Sequence, residues 1–277
     1  MDCPKIQMSY DEFQTIERLL GWKTEYWDGY ARLTPRRIGV DTRLNFESVS
    51  TAEDSFEGFS LIEPAPAHTE QLVDGYIAAF INSIEFCGWP FESILRDAYE
   101  DISLFFENKR GKRLSASVVM LDPKEKMVVA TALITDKPEQ GASLQLLYVR
   151  PSYQRQGIGT RIIHYSLRIL QQLGYSQLTS RYHICNHQSR NFYHKLGFED
   201  VKGDRYSLQT YIAWLGNEIW RRENLQMLDG LKAMKQEQNQ LRAELETLEE
   251  EFWQSVREIA PATKSNQPSH TETLSDS

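Results

Sequence analysis

The chain has 277 residues, 40% hydrophobic and 25% charged, with a formal net charge of −8. That composition is ordinary for a soluble globular protein of one large or two small domains. The acidic balance argues against broad nucleic-acid binding, which needs a basic surface, and no apolar run approaches the ~20 residues of a membrane span. Met1-Asp2-Cys3-Pro4-Lys5 lacks the basic region and apolar core of a secretory signal. Cys3, Cys87 and Cys185 are odd in number and widely spaced, which predicts neither a disulfide framework nor a metal cluster and suits a reducing cytoplasm.

Residues 1–58 read as a small N-terminal α+β module. Asp11 to Leu20 has helical spacing, and Glu25 to Leu33 predicts two aromatic-rich strands around Asp28-Gly29, a strong hairpin signal. Arg37 to Phe46 is expected to add a third strand, before a polar, acidic stretch from Glu47 to Gly58. Phe59–Ile62 then reads as a short strand. His68–Ile84 is an amphipathic helix, and Pro90 opens another through Phe105. Ser115–Leu121 and Met127–Thr135 predict an antiparallel hairpin, and Ser143–Val149 the next strand. Ile158–Leu173 is a helix stopped by Gly174, Gln177–His183 a strand, and Gln188–Leu196 a short helix ended by Gly197. Phe198–Val201 and Tyr206–Trp214 are expected to complete the sheet. Residues 59–214 thus predict an α/β layer fold with a mixed, mostly antiparallel sheet flanked by helices. Met234, Leu241, Leu245, Leu248 and Phe252 fall on a heptad seam, so 216–259 predicts a coiled-coil helix suited to a homodimer. Residues 260–277 carry almost nothing to bury and predict a disordered tail.

Leu146 to Arg161 carries the chemistry. An apolar strand ends at Val149. A polar loop follows, Gln154-Arg155-Gln156-Gly157-Ile158-Gly159-Thr160, and a helix begins at once. That order presents several backbone N–H groups at a helix N-terminus, which suits a diphosphate. Glycines 157 and 159 let the chain turn and an anion approach. A second segment runs from Asn186 to Phe198. On a helix its Asn186, Ser189 and Tyr193 share one side, offering an amide, a hydroxyl and a phenol.

Together the two segments resemble the GNAT superfamily of acyl-CoA-dependent N-acetyltransferases. Gln154-Arg155-Gln156-Gly157-Ile158-Gly159 is an unbroken match to that family's pyrophosphate loop. Asn186, Ser189, Phe192-Tyr193 and Leu196-Gly197-Phe198 match its later segment. The resemblance covers about residues 59–214 and implies a GNAT-type fold and acetyl-CoA as cosubstrate. Strand residues 147–149 (Leu147, Tyr148, Val149) would bind the acetyl and pantetheine groups, chiefly through the main chain of Leu147 and Val149. Backbone amides from Gln154 to Thr160 would hold the diphosphate. Asn186, with Ser189 beside it, would bond the pantetheine arm, and Tyr193 would protonate the departing thiolate. The implied reaction is direct attack of a primary amine, of a small molecule or a protein, on acetyl-CoA.

The predicted fourth strand of this fold, Ser143–Val149, lacks the carboxylate many members use as base. Glu85, Asp136, Glu139 and His183 are the candidates. Tyr76, Glu85, Trp89, Glu92 and Tyr99 would wall the acceptor site, and Arg161, Arg190 or Lys195 would meet the nucleotide 3′-phosphate. His183, His187 and His194 lack zinc spacing, so no metal is expected. The rival reading is a catalytically weak acyl-CoA-binding scaffold that dimerises through its C-terminal helix.

Overall fold

A computed structural model of the chain describes residues 3, 5–15, 22–46, 56, 58–138, 140–202 and 205–259. The predicted tail at 260–277, the candidate base Glu139, most of the acidic stretch at 47–58 and the end of the first predicted helix lie outside the described residues.

At the N-terminus β1 (Lys5–Gln7), α1 (Tyr10–Thr15), β2 (Trp22–Trp27) and β3 (Tyr30–Pro35) form a three-stranded sheet in the order β1-β3-β2 with one short helix. Asp28 and Gly29, at φ 49° and 77°, make the predicted tight turn between β2 and β3. The next strand, β4 (Gly39–Asn45), does not extend this sheet as expected. It runs antiparallel to a strand of the main sheet, β10 (Gln177–His183), from Gln177↔Asn45 to His183↔Gly39. Its alternation buries Val40, Thr42 and Leu44, which a solvated three-stranded ribbon would leave wet.

The main sheet also contains β5 (Ser60–Ile62), β6 (Lys112–Arg113), β7 (Val118–Asp122), β8 (Met127–Lys137), β9 (Gly141–Val149) and β11 (Glu199–Asp200). Its order is β11-β4-β10-β9-β8-β7-β5, with β6 paired to β8. All its pairings are antiparallel except β9 with β10. On one face lies α4 (Ile158–Gln172), burying Ile158, Ile162, Ile163, Leu167 and Leu170. On the other, α2 (Thr69–Phe80) and α3 (Phe91–Phe106) pack Leu72, Tyr76, Ile94, Ala98 and Ile102 against Val119, Val128 and Tyr148. The fully buried leucine, isoleucine and valine side chains among these each contribute about 1.5–3 kcal/mol of apolar transfer free energy. A short helix, α5 (His187–Lys195), follows β10.

Tyr206–Trp214 is not a strand. It lies within α6 (Arg205–Asn224), which buries Leu208, Tyr211, Ile212, Trp214, Leu215 and Ile219. Through residue 214 the pattern also alternates by two; the further positions restore helical period. With β4 beside β10, the sheet needs no strand from this segment. The heptad segment is α7 (Leu231–Ile259), and its seam lies back on α6. Met234 and Leu241 join the main core, while the Tyr211 hydroxyl donates to Glu237 at 2.9 Å and Gln238 to the Ile212 carbonyl at 3.1 Å.

α6 is tied to α5 by a buried carboxylate. Glu218 accepts from Arg221 and Arg222, both at 2.7 Å, and faces His187 Nδ1 at 3.1 Å. Burial alone would raise its pKa, but the two guanidinium bonds outweigh it and hold the carboxyl at about 2. A carboxylate depressed on folding adds stability above its unfolded pKa, lost as pH falls through the folded one. Wild-type stability should therefore drop by about 1 kcal/mol between roughly pH 4.5 and 2, beyond the general acid effect. Chemical denaturation of Glu218→Gln should lack that increment.

Candidate functional site

The site begins where two parallel strands part. β9 and β10 pair at one position, Thr179↔Ser143, where Thr179 Oγ1 donates to the Ala142 carbonyl at 3.1 Å. Just beyond it the β8–β9 register shifts between Leu133↔Leu146 and Ile134↔Leu144. Gln145 is the extra residue, and such a bulge bends its strand. From there β9 and β10 diverge toward their C-terminal ends.

The N–H of Arg150 donates to the Val129 carbonyl at 2.8 Å, on the β8 side. Main-chain groups alternate sides along a strand. Leu147 and Val149 therefore direct theirs into the opening, as the resemblance implies. The Val149 carbonyl there accepts from Gln154 Nε2 at 2.9 Å. Tyr148 is placed differently: its main chain faces β8, and its buried hydroxyl donates to the Leu72 carbonyl at 3.2 Å under α2. Its role is packing, against Gly75, where an added Cβ would fall 2.3 Å from that hydroxyl.

Because β9 and β10 are parallel, the helices that follow them begin at the same edge of the sheet. After β9 a short turn, Pro151–Tyr153, leads through Arg155 at φ 64° to Gly157 at φ 74°, the N-cap of α4. No side chain caps this end, and no acidic residue occupies its first turn. The first intrahelical bond is from the Arg161 N–H to the Gly157 carbonyl, at 3.0 Å, so the N–H groups of Ile158, Gly159 and Thr160 precede it. They form an electropositive helix end suited to an anion.

The two glycines have different reasons. A Cβ on Gly157 would meet nothing within 4 Å, and the left-handed φ is its constraint. A Cβ on Gly159 would sit 3.2 Å from the Phe192 ring. That close approach locks α4 to α5 and serves no ligand directly.

β10 leads into α5, whose N-cap is Asn186. Its Oδ1 accepts from the Ser189 N–H at 2.9 Å, and its Nδ2 donates to Glu85 Oε1 at 2.6 Å. Ser189 thus serves through its backbone. Glu85 arrives from the turn Ile84–Phe86 between α2 and α3, and its Oε2 is buried without a hydrogen-bond partner among the described residues. Its charge is felt around it. Burial first, and Glu85 second, push the Cys185 thiol up to about 12. Burial raises the Tyr193 phenol, Glu85 adds to that rise, and a bond from Ser180 Oγ at 3.0 Å opposes it. Tyr193 is held among Tyr182, Phe192 and Phe198 and stays protonated at neutral pH.

Of the three candidate bases among the described residues, Glu85 is the one with an unpartnered oxygen beside this cluster. His183 lies near it too, but its Nδ1 accepts from the Cys185 N–H at 3.1 Å and its ring also bonds the Arg36 backbone. Burial keeps it neutral. Asp136 pairs with Ala142, at the other end of β9. Among the other expected contacts, Arg190 bonds Asp200 at 3.2 Å and lies 3.1 Å from the centroid of the Trp214 ring. Arg161 stays by the loop, donating to the Gln156 carbonyl at 3.4 Å. Lys195 is exposed. Tyr76 is buried and donates to Asp97, and Tyr99 donates to Glu70. Trp89 is half-buried under Arg37, whose guanidinium lies 3.7 Å from the ring centroid. Ser180 and the side chain of Gln154 were not readable as site groups, since neither role has a spacing signal. Among the described residues no group of three His, Cys, Asp or Glu side chains is placed to hold a metal. None of the described helices is long and apolar enough to cross a membrane.

Residues 78–198 match the family model for the Acetyltransferase (GNAT) family. They form a GNAT acetyltransferase domain. The sheet and its flanking helices are the GNAT fold. Similar solved structures include a GCN5-related N-acetyltransferase from Sphaerobacter thermophilus, at 11% identity and TM-score 0.43, over 59% of this chain and 48% of that one. A GNAT-family acetyltransferase from Staphylococcus aureus Mu50 aligns at 16% identity and TM-score 0.41, over 52% and 87%. AAC(6')-Iy, solved with the bisubstrate analogue CoA-S-monomethyl-acetylneamine, aligns at 15% identity and TM-score 0.36, over 51% and 90%. The chain spans about half the length of the Sphaerobacter protein. No curated protein matches it.

The two glycines should separate on substitution. Gly157→Ala should cost about 1 kcal/mol through its backbone alone. Gly159→Val should cost more, about 1–3 kcal/mol, by driving into Phe192. Urea denaturation of both variants checks the order.

Proposed function

We propose that this protein transfers the acetyl group of acetyl-CoA to a primary amine by direct attack. The observation that carries the reading is the opening between β9 and β10. The main-chain groups of Leu147 and Val149, the uncapped start of α4, Asn186 and Tyr193 all stand at its edge.

In this reading the backbone N–H groups from Gln154 to Thr160 hold the diphosphate. The β9 edge at Leu147 and Val149 binds the pantetheine and polarises the acetyl carbonyl, an oxyanion-type stabilisation. Asn186 positions the pantetheine arm. Glu85 takes the proton from the attacking amine, directly or through one water, using the oxygen that has no partner. The amine forms its bond to the carbonyl carbon, the C–S bond breaks, and Tyr193 gives its proton to the departing sulfur. A carboxylate among Phe86, Trp89 and Tyr193 suits a cationic acceptor. A cytoplasmic setting belongs to the same reading, in keeping with three cysteines outside any disulfide. A homodimer has narrower support: Met234 and Leu241 already pack inward, while Trp253 stays 53% exposed.

Calorimetry with acetyl-CoA should show heat and a raised melting temperature; neither would occur if the phosphate reading is wrong. Across a panel of amines, Tyr193→Phe should lose about 10²-fold or more in kcat, with acetyl-CoA affinity kept. Tight acetyl-CoA binding with no thiol release on any amine would favour the scaffold reading. Glu85→Gln should lower kcat/KM by about 10²-fold. An unchanged kcat/KM would move the base elsewhere.

A further inference from the structure

None of the three cysteines is in a disulfide, and two of them are neighbours. Cys3 and Cys87, 84 positions apart in sequence, are both buried, and the Cys87 thiol donates to the Cys3 sulfur at 3.2 Å. The approach is built into the local backbone. Gly88, next to Cys87, has φ 78°, and an added Cβ there would fall 2.6 Å from Cys3 Sγ. Only glycine leaves the space that Cys3 fills. Arg32 of β3 stands beside the pair, its Nη2 3.6 Å from the same position, where its charge favours a thiolate. Burial and the Cys3 contact work against this and push the Cys87 thiol up to about 11.

Cys87 directly follows the turn Ile84–Phe86, which carries Glu85 into the site. We propose that Cys3 and Cys87 form a reversible disulfide by exchange with a low-molecular-weight disulfide, tying the N-terminal segment to the Glu85 turn. The crosslink stands on the thiol geometry; its bearing on the reaction rests on Glu85 being the base.

The exchange balances in two steps. A Cys3 thiolate attacks the small disulfide, forms a mixed disulfide and releases one small thiolate, which takes up the proton Cys3 lost. A Cys87 thiolate then attacks the Cys3 sulfur of that mixed disulfide and releases the second. Two electrons pass from the protein sulfurs to the small disulfide, and both protein thiol protons end on its two products. Access comes through β1, an exposed strand of three residues whose local opening frees Cys3. Cys185, which burial and Glu85 push up to about 12, stays out of the exchange.

The test treats the full chain with oxidised glutathione, then counts thiols after denaturation and maps peptides. The expected result is a fall from three thiols to one, a Cys3–Cys87 linked peptide, and full reversal by dithiothreitol. The oxidised form should melt roughly 5 °C higher, and amide exchange over residues 84–88 should slow. Cys3→Ser should abolish the linked peptide and both effects. Three thiols remaining, or a crosslink through Cys185, would overturn the proposal. A Cys3–Cys87 crosslink with unchanged exchange at 84–88 would overturn its hold on the turn. If the crosslink forms and slows exchange while Glu85→Gln keeps full activity, the disulfide stands and the base assignment fails.

Discussion

The molecule's chemistry depends on one incomplete pairing. β9 and β10 lie side by side in the sheet, yet they meet at a single rung, Thr179↔Ser143. A parallel pair of this length would ordinarily close along its whole edge, because unpaired main-chain groups are costly once removed from water. Here the Gln145 bulge turns β9 away directly after the rung. Beyond that rung the edge of β9 has no strand partner from β10. Both strands point the same way, so the same edge receives the start of α4 and the start of α5. A helix N-terminus, a free strand edge and a capping asparagine thus converge without any of them being specialised alone. The arrangement follows the rule that ligands in α/β sheets bind beyond the carboxyl ends of diverging strands.

Much of this was legible because it is contiguous. The loop from Leu147 to Thr160 and the segment from Asn186 to Phe198 are each a strand or turn followed by a helix. Their glycines and apolar periods mark the boundaries. Helix and strand periods also placed α2 to α5 and β7 to β10 within a few residues. The candidate proton acceptor is not legible in the same way. Glu85 was one of four candidates, and what singles it out is its bond to Asn186, 101 positions away. No local pattern records such a pairing. The same holds for Cys3 and Cys87, whose contact is fixed by the entry of the N-terminal segment and by Gly88.

The two misread elements have a common cause. By sequence β4 falls to the small module because it follows that module, and Tyr206–Trp214 to the sheet because it follows β11. In both places chain order differs from spatial order. The main sheet instead takes β4 between β10 and β11. The apolar face that then follows β11 covers the core as α6, with Leu208, Leu215 and Trp214 fully inside. α7 then has a partner at hand, and its heptad seam is partly satisfied within the chain. Local alternation of apolar residues does not separate a strand from a short stretch of helix; the length of the apolar face does, and α6 runs to Asn224.

Glu85 and Tyr193 are coupled by more than proximity. Burial, with a smaller contribution from the carboxylate, raises the phenol's pKa, so Tyr193 is held protonated. In the proposed reaction Glu85 gains a proton as the amine attacks. Its charge then vanishes, and with it that part of the penalty on the phenolate. Tyr193 becomes the stronger acid at the stage when the sulfur needs its proton. The Ser180 bond pulls the phenol the same way throughout. Asn186 ties the pair to the cofactor side, because the amide that caps α5 with one atom grips Glu85 with the other. Replacing Asn186 by Asp would keep the cap and set a second carboxylate 2.6 Å from Glu85 Oε1. Two like charges at that distance repel, and the neutral amide avoids that repulsion. The asparagine therefore caps α5 and binds Glu85 without adding a charge beside it.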